Sequence, residues 1–174
     1  RQEMKLTWFA GSTIRIHIGG RILVADPAGI SGVADGELTS GADVVFFIDE
    51  AGEAVDPALW QPRRVASMID ADEMPEVLVH GIEGGALVAA AGEPPLVLLK
   101  SAMRRAGRWG RDAVVVVFGD KADVVAGRVL DEVGPHLIAI AAPDAVIERA
   151  VEALRDKVGG TLLVALEPGM ALEV

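Results

Sequence analysis

The sequence predicts an α+β protein: two β-sheets packed face to face, with helices on the outside. Three observations carry that. The first two-thirds of the chain is a succession of short apolar runs cut by Gly and Pro, the pattern of strands and turns. From Ala113 onward, strand-like runs alternate with stretches of helical periodicity. The 174 residues are 51% hydrophobic with a mean hydropathy of +0.39, enough to fill a sizeable core in one domain, residues 1–174.

The elements follow in order. Lys5 to Phe9 reads as a first strand. Ile14, Ile16 and Ile18 then alternate with Thr13, Arg15 and His17, so one face is apolar. Gly19 and Gly20 form a two-residue connection suited to the positive φ of a hairpin turn. Arg21 to Ala25 returns, and Asp26 with Pro27 ends the strand. Proline disfavours helical backbone before it, which predicts an extended Asp26 at a strand end facing a cleft. Ala28 to Gly41, rich in Gly, Ser and acids, reads as a loop. Asp43 to Ile48 is continuously apolar after its first residue, which predicts a strand buried on both faces. A loop follows to Asp56, where Asp56 and Pro57 predict a capped helix start that Pro62 interrupts.

Arg63 to Ile69 reads as a short strand and Asp70 to Pro75 as an acidic turn. Pro75 to His80, Gly85 to Ala91 and Pro95 to Lys100 read as strands. Ser101 to Gly110 is a basic loop or helical turn. Val114 to Phe118 is a buried strand. Asp120 is placed to cap a helix running to Val133, closed by Gly134 and Pro135. Leu137 to Ala141 is a strand. Asp144 is placed to cap an amphipathic helix carrying Val146, Ile147, Ala150, Val151, Leu154 and Val158, ended by Gly159 and Gly160. Thr161 to Leu166 and Ala171 to Val174 are the last strands, joined by a turn at Glu167 to Met170.

Composition narrows the function classes. With no cysteine, disulfides, thiolate nucleophiles and Cys-ligated zinc are excluded. The net charge of −10 argues against nucleic acid or anionic membrane as partners. No apolar run approaches the length of a membrane span. Arg1 to Ser12 lacks the pattern of a secretory signal, so a cytoplasmic location is expected. The three histidines, His17, His80 and His136, are far apart, and no two share ligand spacing.

Trp8, Phe9, Ser12, Thr13, Gly19, Gly20, Asp26 and Pro27 together carry a resemblance. The stretch resembles the opening of the metallo-β-lactamase fold, in the branch of ascorbate-phosphate lactonase-like and other metal-dependent hydrolases. That branch opens with a Trp-Phe-Gly-His-Ser-Thr-like run; Ala10 and Gly11 stand here where Gly and His are usual. Ala42 to Ile48 and the closing helix, strand and Glu-Pro-Gly turn are similar to the family's as well. The resemblance implies a four-layer αββα sandwich, shortened between Trp60 and Lys100.

In active members of that family, a His-x-His-x-Asp-His loop holds one or two metal ions, which make a hydroxide nucleophile from bound water. Carried over by position, Asp49 takes the place of the first histidine, Ala51 the second, Glu53 the aspartate and Ala54 the last. The metal-bridging aspartate falls near Lys100 and Ser101, and the final histidine near Ala142. Zinc needs three or four converging donors, and alanine supplies none. The expectation is a scaffold without its metal chemistry: no catalytic residues, no metal and no cofactor, in a pseudoenzyme that binds a small molecule or forms a homo-oligomer. The residual cleft positions are Gly11, Ser12, Asp26, Asp49, Glu53 and Asp120. The alternative is a lactone or phosphoester hydrolase holding zinc or manganese through Asp26, Asp49 and Glu53.

Two further clusters have competing readings. Lys100, Arg104 and Arg105, beside Arg108, Arg111 and Trp109, make a candidate anion site, or else a solvated or ion-pairing face. Asp43, Asp49, Glu50, Glu53 and Asp56 suit a hard cation by chemistry, but match no EF-hand spacing and read more simply as a solvated acidic turn. Asp120 reads as a strand-end ligand position or a plain helix cap. His80 and His136 read as solvated or hydrogen-bonded imidazoles.

Overall fold

The computed structural model describes residues 4–28, 35–63 and 76–174. Three strands open it: β1 (Lys5–Ala10), β2 (Thr13–Ile18) and β3 (Arg21–Ala25). A short helix α1 (Asp35–Thr39) and strand β4 (Val44–Phe46) follow. Then come β5 (Val77–Ile82), β6 (Gly85–Ala90), β7 (Leu96–Leu99) and β8 (Val114–Phe118). Helix α2 (Ala122–Glu132), β9 (Leu137–Ala141), helix α3 (Asp144–Leu154), β10 (Leu162–Ala165) and β11 (Ala171–Glu173) complete the order.

The strands form two sheets. The first runs β11-β1-β2-β3-β4, the second β10-β9-β8-β7-β6-β5. The Gly19–Gly20 turn has both φ values positive, 57° and 75°, which sets β2 against β3 with Ile16 opposite Leu23. Leu6, Ile14, Ile16, Ile18 and Leu23 fill the space between the sheets, against Val88, Leu98, Val114 and Val116. Alternate residues of the second sheet point the other way. Val97, Leu99, Val115, Val117 and Ile138 pack with Val125, Val129, Val146 and Leu154 of α2 and α3. Burial on both faces is why β7, β8 and β9 are apolar without interruption. On the outside of the first sheet, the described helical layer is α1, whose Leu38 is buried and whose backbone carbonyl accepts from Arg15.

Several sequence expectations fail, each for a physical reason. The apolar run at Asp43 to Ile48 is not doubly buried. Among the described residues β4 is an edge strand paired only with β3, and Val44, Val45 and Phe47 are 37, 46 and 53% exposed. The span Ala28 to Gly41 is not all loop, because it contains α1. Asp56 makes one turn, not a helix: its carboxylate accepts from Ala58 and its carbonyl from Leu59 and Trp60 before Pro62 intervenes. Neither Asp120 nor Asp144 caps a helix. α2 starts after Lys121 and α3 after Pro143, with no side-chain cap at either. Glycine and proline set the local backbone there instead, as Gly119 has φ +99° and Pro143 precedes the first helical residue. Basic residues 101–110 lead into a 3₁₀ turn, Arg108–Asp112. The strand expected at 63–69 and the acidic turn at 70–75 fall outside the described residues, except Arg63, which is in no element. Among the described residues, no helix is long and apolar enough to cross a membrane.

Candidate functional site

β3 and β4 are parallel, and so are β7, β8 and β9, so their carboxyl ends gather at one edge of each sheet. Asp26 follows β3 and Lys100 follows β7, and these two side chains join the edges. Lys100 Nζ lies 2.8 Å from Asp26 Oδ2 and 3.1 Å from Asp49 Oδ2. The carboxylates differ in setting, with the Asp26 side chain 13% exposed and that of Asp49 76% exposed.

Asp26 is the hub. Its Oδ2 also accepts from Ser12 Oγ at 2.5 Å, and its Oδ1 from the Ile48 amide at 2.7 Å. Its own amide donates to the Phe46 carbonyl, and its carbonyl accepts from Thr13 Oγ1 at 2.6 Å. Every polar atom of the residue is therefore engaged. The expected extended backbone before Pro27 is not what forms: Asp26 has φ +48°, the one positive φ outside glycine among the described residues. A left-handed aspartate costs about 1–3 kcal/mol, and it persists only where surrounding bonds over-determine it. The five contacts of Asp26 do that.

Each partner is placed by its own local structure. Gly11, with φ +57°, makes the tight turn between β1 and β2 that presents Ser12, and its carbonyl accepts from Trp8 Nε1. Ile48 and Asp49 lie in a 3₁₀ turn just past β4, which aims the Ile48 amide at Asp26. Lys100 is set by the Gly84–Gly85 hairpin, since the amides of Lys100 and Ser101 both donate to the Gly84 carbonyl.

The charges tune one another. Burial pushes the Asp26 carboxyl up. The hydrogen bonds from Lys100, Ser12 and the Ile48 amide outweigh it and hold the group below the ordinary carboxylate range. Burial pulls Lys100 down, but Asp26 and then Asp49 raise it above the ordinary lysine value. A depressed acid contributes stability above its unfolded-state pKa, lost as pH falls through the folded value. A raised lysine contributes below its unfolded-state pKa, lost as pH rises through the folded value. In urea unfolding from pH 3 to 11, the contribution of this pair to stability should therefore be level between the ordinary carboxylate value of 3.8 and the ordinary lysine value of 10.5, and fall away on either side. In the Asp26→Asn variant, the loss of stability at both flanks should shrink.

The other expected positions do not join this cluster. Glu53 is exposed, and its backbone carbonyl accepts from the Gly81 amide. Ala51 is buried in the core between the sheets, Ala54 bridges to Gly81, and Ala142 is buried against the helices. Asp120 lies just past β8, its carbonyl accepting from Arg149. Among the basic residues, Lys100 is held by two carboxylates, Arg104 Nε lies 3.8 Å from Glu83, and Arg105 is exposed. Trp109 is not available to stack on a ligand: it is buried, and its Nε1 donates to the Pro57 carbonyl. His80 Nδ1 is buried near the Trp60 ring and has no hydrogen-bond partner among the described residues.

A transition metal does not fit these residues. Among the described residues, no three His, Asp or Glu side chains converge. The two carboxylates of this cluster, Asp26 and Asp49, already share an ammonium. Sequence reasoning put Lys100 near the metal-bridging aspartate's place but assigned it to an anion site. The sign of its charge at that place was the available signal. Shallow clefts flank the pair, about 430 Å³ beside Gly11, Ser12 and Phe47 and about 520 Å³ beside Asp49, Gly84 and Ser101.

No protein-family model matches the sequence, and no curated protein matches it either. Solved structures do match the fold. Igni18, a novel metallo hydrolase from the hyperthermophilic archaeon Ignicoccus hospitalis, aligns with a TM-score of 0.59 at 12% identity, over 99% of this chain and 99% of its own. The metallo-β-lactamase fold protein YhfI from Bacillus subtilis aligns at 0.53 and 13% identity, over 99% and 100%. A candidate zinc-dependent hydrolase of the metallo-β-lactamase superfamily from Thermotoga maritima aligns at 0.50 and 10% identity, over 94% and 99%. With two sheets stacked in this order and helices α2 and α3 outside the second, the chain has the metallo-β-lactamase fold.

Proposed function

We propose that this chain is a non-catalytic member of the fold, a module that binds a small molecule or a second copy of itself. The observation that carries the reading is the loop after β4. Of the four positions that the resemblance assigns to metal ligands, two, Ala51 and Ala54, are alanines, whose methyl groups supply no donor. Asp49 and Glu53, the other two, are exposed and converge with no third donor among the described residues. Water activation needs a metal with an open position and at least three protein ligands. The hydrolase reading, through Asp26, Asp49 and Glu53, meets Lys100 already between the first two.

Self-association has its own support. β4 has a ladder partner on one side only among the described residues, and Val44, Val45 and the next residue after the strand, Phe47, are exposed. A bare apolar edge invites pairing with the same edge of another copy.

Elemental analysis of protein purified without chelator tests the reading. The expected result is less than about 0.1 equivalent of zinc, manganese or iron, with no turnover of lactones or phosphodiesters, since the donor set is too small. A stoichiometric metal together with metal-dependent turnover would overturn it.

A further inference from the structure

We infer that the Lys100 ammonium is this protein's resident cation, a covalently attached replacement for a metal ion. Its task is to lock the loop ends of the two sheets together. The inference rests on the metal-free reading above and goes beyond it, since a scaffold can lose its ligands without gaining a substitute.

The geometry is that of a charge bridge. The Asp26 side chain is 13% exposed and would be an uncompensated anion without a partner. Lys100 comes from the end of β7 in the second sheet, Asp26 from the end of β3 in the first, and Asp49 from the turn after β4. One ammonium thus ties three segments, and the Ser12 hydroxyl adds a fourth through Asp26 Oδ2. The backbone is shaped to deliver it, with the Lys100 and Ser101 amides both anchored on the Gly84 carbonyl. A divalent ion held by oxygens would do the same work with the same carboxylates. Asp26, Asp49 and Lys100 carry a net charge of −1, so removing the ammonium leaves −2, matched in charge by one divalent cation.

The test is thermal unfolding of the parent, Lys100→Met, and the double variant Lys100→Met with Asp26→Asn, each in chelator and in manganese chloride. Methionine keeps the length and apolar stem of the lysine without its charge. The parent should be insensitive to manganese. Lys100→Met should melt roughly 4–10 °C lower in chelator, and manganese should restore at least about half of that. The double variant should recover part of the loss in chelator and not respond to manganese. If Lys100→Met does not fold in chelator, refolding with manganese should rescue it, and failure of that rescue would overturn the inference. A Lys100→Met protein as stable as the parent and indifferent to manganese would also overturn it. A parent that itself retains metal would instead fail the metal-free reading, so the two failures are distinguishable.

Discussion

Replacing Asp26 by alanine should lower the melting temperature by roughly 6–15 °C, corresponding to about 3–5 kcal/mol for a domain of this size. The expectation follows from what the side chain holds. Ser12 Oγ and the Ile48 amide lose their acceptor, and Lys100 loses its closest partner. A buried donor left unpaired costs about 1–3 kcal/mol. Alanine also tolerates φ +48° less well than aspartate, whose short polar side chain bonds locally in that region. Asparagine should recover part of the loss, because it accepts left-handed backbone and keeps an oxygen for Ile48. Chemical and thermal denaturation of the three proteins checks this. An Asp26→Ala protein within about 1 kcal/mol of the parent would show that the hub contributes little.

Gly85→Ala should be still more damaging, costing about 4 kcal/mol or more and leaving little folded protein at 37 °C. A methyl group built on Gly85 would overlap the Leu98 carbonyl oxygen, and would sit 2.8 Å from the Leu98 carbonyl carbon and 3.1 Å from Leu99 Cα. All three atoms belong to backbone in the middle of the second sheet, so no rotamer change relieves the clash. Gly85 pairs with Leu99, the residue before Lys100, so the displacement would reach the charge bridge directly. Gly36→Ala is the control. It lies in α1, where the added carbon would meet no atom within 4 Å among the described residues outside its own helix backbone and chain neighbours, and the change should be neutral or slightly stabilising. Circular dichroism and soluble yield of the two variants give the comparison.

The sequence exposed some of this and hid the rest. The Gly19–Gly20 hairpin was legible because two adjacent glycines between alternating apolar runs have few other uses. β7, β8 and β9 were legible because a strand covered on both faces has no polar positions to confuse the pattern. β4 misled for the same reason in reverse: Val44, Val45 and Phe47 look like core, yet lie on an edge. Periodicity cannot tell a covered strand from an apolar edge without the sheet order. Asp26 was legible as a strand-end carboxylate, but its backbone was not. The local preference that proline imposes was overridden by five hydrogen bonds and ion-pair contacts with residues between 13 and 74 positions away in the chain. The partner set of Lys100 was hidden because it spans both sheets, and nothing near Lys100 in the chain announces Asp26 or Asp49.

The most direct measurement is a crystal structure grown in manganese and recorded at its absorption edge. The Lys100 ammonium should lie within hydrogen-bond reach of both Asp26 and Asp49, with no anomalous peak between them. Lys100 turned out to solvent, with a metal ion bound by those two carboxylates, would contradict the account.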